Sequence, residues 1–202
     1  MTVVNGDRVF LGSNEGGIRG DARYVLDRFD LAYMKQFDVV HSGNYCFTER
    51  ELPKLKAAGI TVSFDFSDDS TDEYYEQIAP YVDFAFFSAA DAASEDEIRE
   101  RLAWVRGLGP RFASATAGAE GCIAYDGDRY YRQLAKPVTE MKDTMGAGDS
   151  FLTSFLMCYL DSAKRGEDGV EAIERALDFA AGFASTVCGM EGSWGHGAPI
   201  SE

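Results

Sequence analysis

Basic residues are scarce in this sequence. Lys and Arg number 19 against 34 Asp and Glu, so the formal net charge is −15. Binding to nucleic acid or to an anionic membrane requires a basic surface, because both partners are dominated by phosphate groups. The composition therefore argues against both kinds of partner.

Long apolar runs are also missing. No stretch approaches the roughly 20 apolar residues that a membrane-spanning helix needs. The first ten residues do not combine a charged head with an apolar run, so no signal peptide is predicted. We expect a cytoplasmic protein whose 202 residues form one domain.

Paired cysteines are absent as well. Cys46, Cys122, Cys158 and Cys188 are far apart, and no C-x-x-C pair exists. Free thiols are therefore predicted rather than disulfides or a metal centre. A Walker A loop is also missing, which excludes a kinase of the P-loop type.

What the sequence does contain is an alternation of short apolar runs and helical patterns. Thr48-x-x-Glu51 and Ser94-x-x-Glu97 have the form of capping boxes that open two of the helices. This rhythm predicts an α/β fold, a three-layer α/β/α arrangement around a mostly parallel sheet. The strands are predicted near residues 39–41, 60–64, 82–87 and 112–116.

Later in the chain the rhythm changes. Asp126-Gly127 is a strong turn signal and predicts a hairpin between residues 122–125 and 129–132. Two long helices are then predicted over residues 147–160 and 170–188.

The most informative segment is Asp143-Thr144-Met145-Gly146-Ala147-Gly148-Asp149, a glycine-rich turn that runs into an amphipathic helix. Glycines permit positive φ, so several N–H groups can point at one spot beside the positive end of the helix dipole. Such a turn can hold phosphate oxygens while a carboxylate in the first helical turn accepts a hydroxyl proton. A helix simply capped by an aspartate is the alternative that these residues leave open.

This segment resembles the second signature of the pfkB (ribokinase) family of carbohydrate kinases, Asp-Thr-x-Gly-Ala-Gly-Asp. The resemblance implies a ribokinase-like fold with Asp149 as the catalytic base. It also implies an anion hole formed by the amides of Gly146, Ala147 and Gly148. Asp143 would lie near a monovalent cation site, for which K⁺ is the candidate.

A second turn, Thr116-x-Gly118-x-x-Gly121, is similar to the ATP-contacting turn of that family, which implies ATP as cofactor. Family members often carry Asn-x-x-Glu, which helps to organise Mg²⁺ and phosphates. This chain has Ser88-Ala89-Ala90-Asp91 instead. The resemblance still implies Mg²⁺, with Ser88 at the nucleotide. His196, in the glycine-rich tail, is a further candidate for a nucleotide contact.

Within the family the chain most resembles the bacterial fructoselysine 6-kinases. The implied substrate is an Amadori compound, phosphorylated to its 6-phosphate. Asp68 and Asp69 are candidate partners for its amine, and a merely solvated acidic loop is the alternative. The matching stretches outside the signature are residues 7–10, 15–16, 37–41, 65–68 and 83–86.

The family's first signature, which contains Gly-Gly, does not occur in this chain. Residues 1–20, with the turn signal Asn5-Gly6, are expected to be a remnant of the β lid within one kinase domain of residues 1–202. We therefore expect reduced stability or a homodimer. A non-catalytic nucleotide-binding fragment or a regulatory subunit is the alternative function. A Rossmann dehydrogenase is disfavoured, because Gly146-x-Gly148 comes late and lacks the third glycine.

Overall fold

The computed structural model describes residues 2–4, 7–9, 25–92, 94–193 and 195, with the backbone alone for the first two segments. Strands β1 (Thr2–Val4) and β2 (Asp7–Val9) pair antiparallel as a separate two-stranded sheet. The turn signal Asn5-Gly6 lies between these strands in the sequence, outside the described residues. The assignment of residues 1–20 to a lid remnant remains a prediction.

The remaining strands form one six-stranded sheet in the order β3-β4-β5-β6-β7-β8. The first four strands, β3 to β6, run parallel to one another. Strand β7 is antiparallel to β6 and β8 is antiparallel to β7, because a short connection between neighbouring strands reverses the chain direction. The bounds are β3 (Val40–Gly43), β4 (Val62–Asp65), β5 (Phe84–Ser88), β6 (Phe112–Thr116), β7 (Cys122–Tyr125) and β8 (Tyr130–Gln133).

Helices cover both faces of this sheet. Side chains alternate along each strand, so that Ala85 and Phe87 pack against one helical layer while Phe84 and Phe86 pack against the other. The predicted three-layer α/β/α fold is therefore confirmed. The helices are α1 (Arg28–Met34), α2 (Leu52–Ala57), α3 (Asp72–Ile78) and α4 (Glu95–Gly107) on the first face, and α5 (Ala147–Lys164) and α6 (Val170–Cys188) on the second.

The second layer holds the longest helices and a stacked aromatic core. Phe155 of α5 is completely buried, with its ring 4.6 Å from Phe112 of the sheet and 5.7 Å from Tyr159. This packing fixes α5 against the sheet and thereby fixes the position of its first turn. Among the described residues, no helix combines the length and hydropathy that crossing a membrane requires.

The two predicted capping boxes have different outcomes. Ser94 does cap α4, accepting a hydrogen bond from the Glu97 amide at 3.2 Å. The prediction for Thr48 is wrong, because its hydroxyl pairs with Ser42 at 2.5 Å and makes no cap hydrogen bond. A single 3₁₀ turn (Glu49–Glu51) precedes α2, and the Glu51 carboxylate instead accepts the Leu26 amide at 2.7 Å.

Candidate active site

The four parallel strands all end at the same edge of the sheet, which is where ligands bind in open α/β folds. Their last residues are Gly43, Asp65, Ser88 and Thr116. A cleft of about 1130 Å³ lies there, between this edge and the first turn of α5. Most of the residues predicted from the sequence line it, namely Asp68, Ser88, Thr116, Gly118, Gly121, Ala147, Gly148 and Asp149.

The first turn of α5 has the geometry that the glycines suggested. Gly146 caps the helix at φ +76°, a left-handed conformation that favours glycine. A Cβ added there would lie 2.8 Å from Cβ of Ser193, whereas one added at Gly148 would meet no atom within 4 Å. The Ala147 amide already donates to the Thr144 carbonyl at 3.1 Å. The open side of the turn is therefore at Gly148, next to Asp149.

Asp143 does not line the cleft, and its carboxylate instead accepts hydrogen bonds from the backbone near the start of α5. One carboxylate oxygen accepts the Met145 amide at 3.0 Å, and the other accepts the Gly192 amide at 3.0 Å. Within the described residues, no group of three His, Cys, Asp or Glu side chains could hold a metal. The cation role of Asp143 therefore stays a prediction, and His196 lies outside the described residues.

The turn after β6 provides a second opening. Gly121 has φ +87°, and a Cβ there would meet the Gln133 carbonyl at 2.1 Å, so only glycine fits beside β8. Gly118, at φ +52°, has no atom within 4 Å of an added Cβ. Backbone without side chains thus borders the cleft at two places, Gly118 and Gly148. This arrangement fits a nucleotide, whose phosphates approach the backbone closely.

Asp65 and His41 also line the cleft, and neither was predicted from the sequence as a site residue. Asp65 ends β4, and burial raises its pKa from 3.8 to about 6, with the nearby charge of Asp149 adding to the rise. His41 of β3 contacts Ser63 at 3.1 Å. Desolvation lowers the pKa of His41, although the Asp149 charge opposes this. The rule that ligands bind at the carboxyl ends of parallel strands could have identified Asp65.

The two aspartates predicted to bind substrate are placed differently. Asp68 lines the cleft and accepts a hydrogen bond from the Ser67 hydroxyl at 3.2 Å. Asp69 is not among the lining residues, and its carboxylate accepts hydrogen bonds from Asn44 at 3.0 Å and Tyr45 at 2.7 Å. All four cysteines are free, as predicted.

Solved structures share this fold. A ribokinase from Arabidopsis thaliana, complexed with ribose and ATP, superposes with a TM-score of 0.69 at 20% sequence identity. The superposition covers 83% of this chain and 55% of that one. The class defined by the sheet and the cleft is therefore the ribokinase-like α/β fold.

A family model for pfkB family carbohydrate kinases matches residues 19–195, and the chain belongs to that family. It is 37% identical over 196 residues to fructosamine kinase FrlD of Bacillus subtilis. This alignment covers 96% of this chain and 64% of the relative. It is 39% identical over 157 residues to fructoselysine 6-kinase of Escherichia coli, covering 77% of this chain and 58% of the relative. The chain thus spans about three fifths of the length of these curated relatives.

Proposed function

We propose that this chain carries the nucleotide site and the catalytic base of an ATP-dependent kinase. Its substrate is a sugar or sugar–amine adduct, and the reaction we favour converts fructoselysine to its 6-phosphate. The observation that carries the proposal is the position of Asp149, in the first turn of α5 and in the same cleft as Gly148 and Gly118. The names of the similar curated proteins support the choice of a fructosamine substrate.

The chemistry follows from this position. When bound, ATP supplies the phosphoryl group and Mg²⁺ neutralises its charge. Asp149 accepts the proton of the attacking hydroxyl, while the Gly148 side of the turn and the α5 dipole favour the developing negative charge. Thr116, Gly118, Gly121 and Ser88 border the nucleotide. We assign Asp68, one of the carboxylates that line the cleft, to the substrate amine, and K⁺ near Asp143 is a further part of the proposal.

The first test is Asp149→Asn in a coupled assay of ATP consumption with fructoselysine and Mg²⁺. Loss of the base is expected to lower kcat about 10²–10⁴-fold. Binding of an ATP analogue should be unchanged, since the amide keeps the size of the side chain. Asp161→Asn is the matched control, because Asp161 is an exposed residue of the same helix and pairs with Arg165. It should retain full activity.

Each outcome of this assay has a distinct meaning. Turnover that disappears in Asp149→Asn and persists in Asp161→Asn supports the mechanism. Wild-type turnover in Asp149→Asn contradicts it. ATP-analogue binding by the wild-type chain without transfer to any sugar would favour the alternative function, a non-catalytic nucleotide-binding fragment or regulatory subunit.

A further inference from the structure

Tyr45 stands in the wall of the cleft as an exposed aromatic side chain. It lies in a single 3₁₀ turn (Asn44–Cys46) directly after β3, and 61% of its surface is accessible. It nevertheless lines the cleft together with Asp65 and Asp149. An exposed ring would ordinarily be free to change rotamer, so its orientation needs a cause.

Asp69 supplies that cause. The Tyr45 hydroxyl donates to one carboxylate oxygen at 2.7 Å, and the Asn44 side-chain amide donates to the other at 3.0 Å. Hydrogen bonds to a charged acceptor are stronger than neutral ones. Both carboxylate oxygens of Asp69 therefore accept hydrogen bonds from the loop after β3.

The backbone conformation also indicates that the loop after β3 and the loop after β4 are held in place. Phe47 and Ser67 are the non-glycine residues with positive φ in the described part of the chain, each at +57°. Such conformations persist only where the surrounding structure holds them. One lies just after Tyr45 and the other just before Asp69, so the two loops are constrained where they meet.

The charges that line the cleft favour a cation. Asp65, Asp68 and Asp149 line the cleft, and the one lysine among its lining residues, Lys136, is paired with Asp178. An aromatic face attracts a cation, and its apolar surface also packs against the C–H groups of a sugar. A ketosamine presents both features, a ring of C–H groups and a positively charged amine.

We infer that the Tyr45 ring is a substrate-contacting wall that selects a cationic sugar amine, and that Asp69 is a positioning residue that holds this ring. The inference rests on the proposed function, because it assumes that the cleft receives a sugar. It assigns Asp69 to Tyr45 rather than to the substrate amine, and it leaves Asp68 as the carboxylate open to that amine.

The test is calorimetric binding to the full 202-residue chain in the presence of Mg²⁺ and a non-hydrolysable ATP analogue. Fructoselysine is the cationic probe, and fructose is the neutral one. Tyr45→Ala should weaken fructoselysine binding about tenfold, a loss within the range for an aromatic–cation contact, and should weaken fructose binding less. Binding of the ATP analogue should not change.

A double-mutant cycle separates the role of Asp69 from that of Tyr45. Asp69→Asn and Tyr45→Phe each remove part of the same tether, so each should weaken fructoselysine binding by about threefold and the pair should do no more. In a Tyr45→Ala background, Asp69→Asn should have no further effect. Tyr33→Ala is the control, because Tyr33 is equally exposed at 62% but is not a cleft residue.

Several results would overturn the inference. They are unchanged fructoselysine binding by Tyr45→Ala, equal losses for both sugars, loss of analogue binding in that variant, or an additional loss from Asp69→Asn when the ring is absent. A wild-type chain that binds the analogue but neither sugar also overturns it, while leaving the nucleotide part of the proposed function intact. A chain that binds no analogue contradicts the proposed function itself.

Discussion

At the scale of single residues, Asp65 shows how tertiary surroundings alter a side chain. Its pKa rises from 3.8 to about 6, chiefly because burial penalises the charged form, and the Ser67 amide, at 2.8 Å, only partly offsets this. Asp65 is therefore more often protonated in the folded chain than in the unfolded chain between about pH 4 and pH 6. Ionisation of Asp65 makes the free energy of unfolding fall as the pH rises through this range.

Asp65→Asn should abolish this decrease in the free energy of unfolding with rising pH. At pH 8 the variant is expected to be more stable than the wild type by about 1–3 kcal/mol, and near pH 4 the two should be nearly equal. An asparagine carbonyl can still accept the Ser67 amide. Urea unfolding at both pH values measures the difference. Asp68→Asn, in the same cleft, should change stability by less than about 0.5 kcal/mol; equal effects of the two substitutions would contradict the assignment to burial.

At the scale of elements, the start of α5 has two glycines with different roles. Gly146 has positive φ and lies against Ser193, whereas Gly148 is helical and faces open space. Gly146→Ala should therefore lower the free energy of unfolding by about 1–3 kcal/mol. Gly148→Ala should leave it unchanged or raise it by about 0.5–1 kcal/mol, because alanine is the better helix former.

Gly146→Ala and Gly148→Ala should also differ in nucleotide binding. The new methyl group at position 148 would occupy the open space that we propose for the nucleotide phosphates, so Gly148→Ala should weaken ATP-analogue binding while the chain stays folded. Thermal unfolding with and without the analogue measures both effects. A Gly148→Ala chain that binds the analogue like the wild type would remove this turn from the nucleotide site.

At the scale of the whole molecule, the net charge of −15 is the dominant electrostatic feature. The described ion pairs are mostly exposed, and such pairs contribute little. Self-repulsion should therefore decide the response to salt. Raising NaCl from about 10 to 150 mM, where charges are screened beyond roughly 8 Å, should raise Tm. A fall in Tm would mean that the ion pairs outweigh the repulsion.

Two amide substitutions provide the matched comparison for this salt effect. Asp168 has no ion-pair partner among the described residues, whereas Glu95 pairs with Arg99 at 2.6 Å and Arg132 at 3.6 Å. Asp168→Asn should raise Tm at low salt, and the gain should shrink at high salt. Glu95→Gln should show no such gain, because it removes a compensated charge.

The homodimer expected from the sequence remains a prediction that sedimentation can test.

Local chemistry in the sequence by itself determined much of this protein. The alternation of apolar runs and helical patterns predicted the layered fold, and Asp126-Gly127 predicted the hairpin, since backbone propensity and periodicity act over a few residues. The signature around Asp149 predicted the helix turn for the same reason. The Thr48 capping box failed because the Thr48 hydroxyl pairs with that of Ser42, six residues earlier, which the spacing Thr48-x-x-Glu51 does not take into account.

Only the tertiary structure decided which of these residues share a cleft. Asp65 and His41 come from separate strands, and they meet Asp149 only because parallel strands end at one edge beneath α5. The hydrogen bond from Tyr45 to Asp69 joins residues 24 positions apart, so no spacing in the sequence could reveal it. Burial, partner choice and shifted pKa values depend on neighbours that are distant in the chain, and the fold alone brings them together.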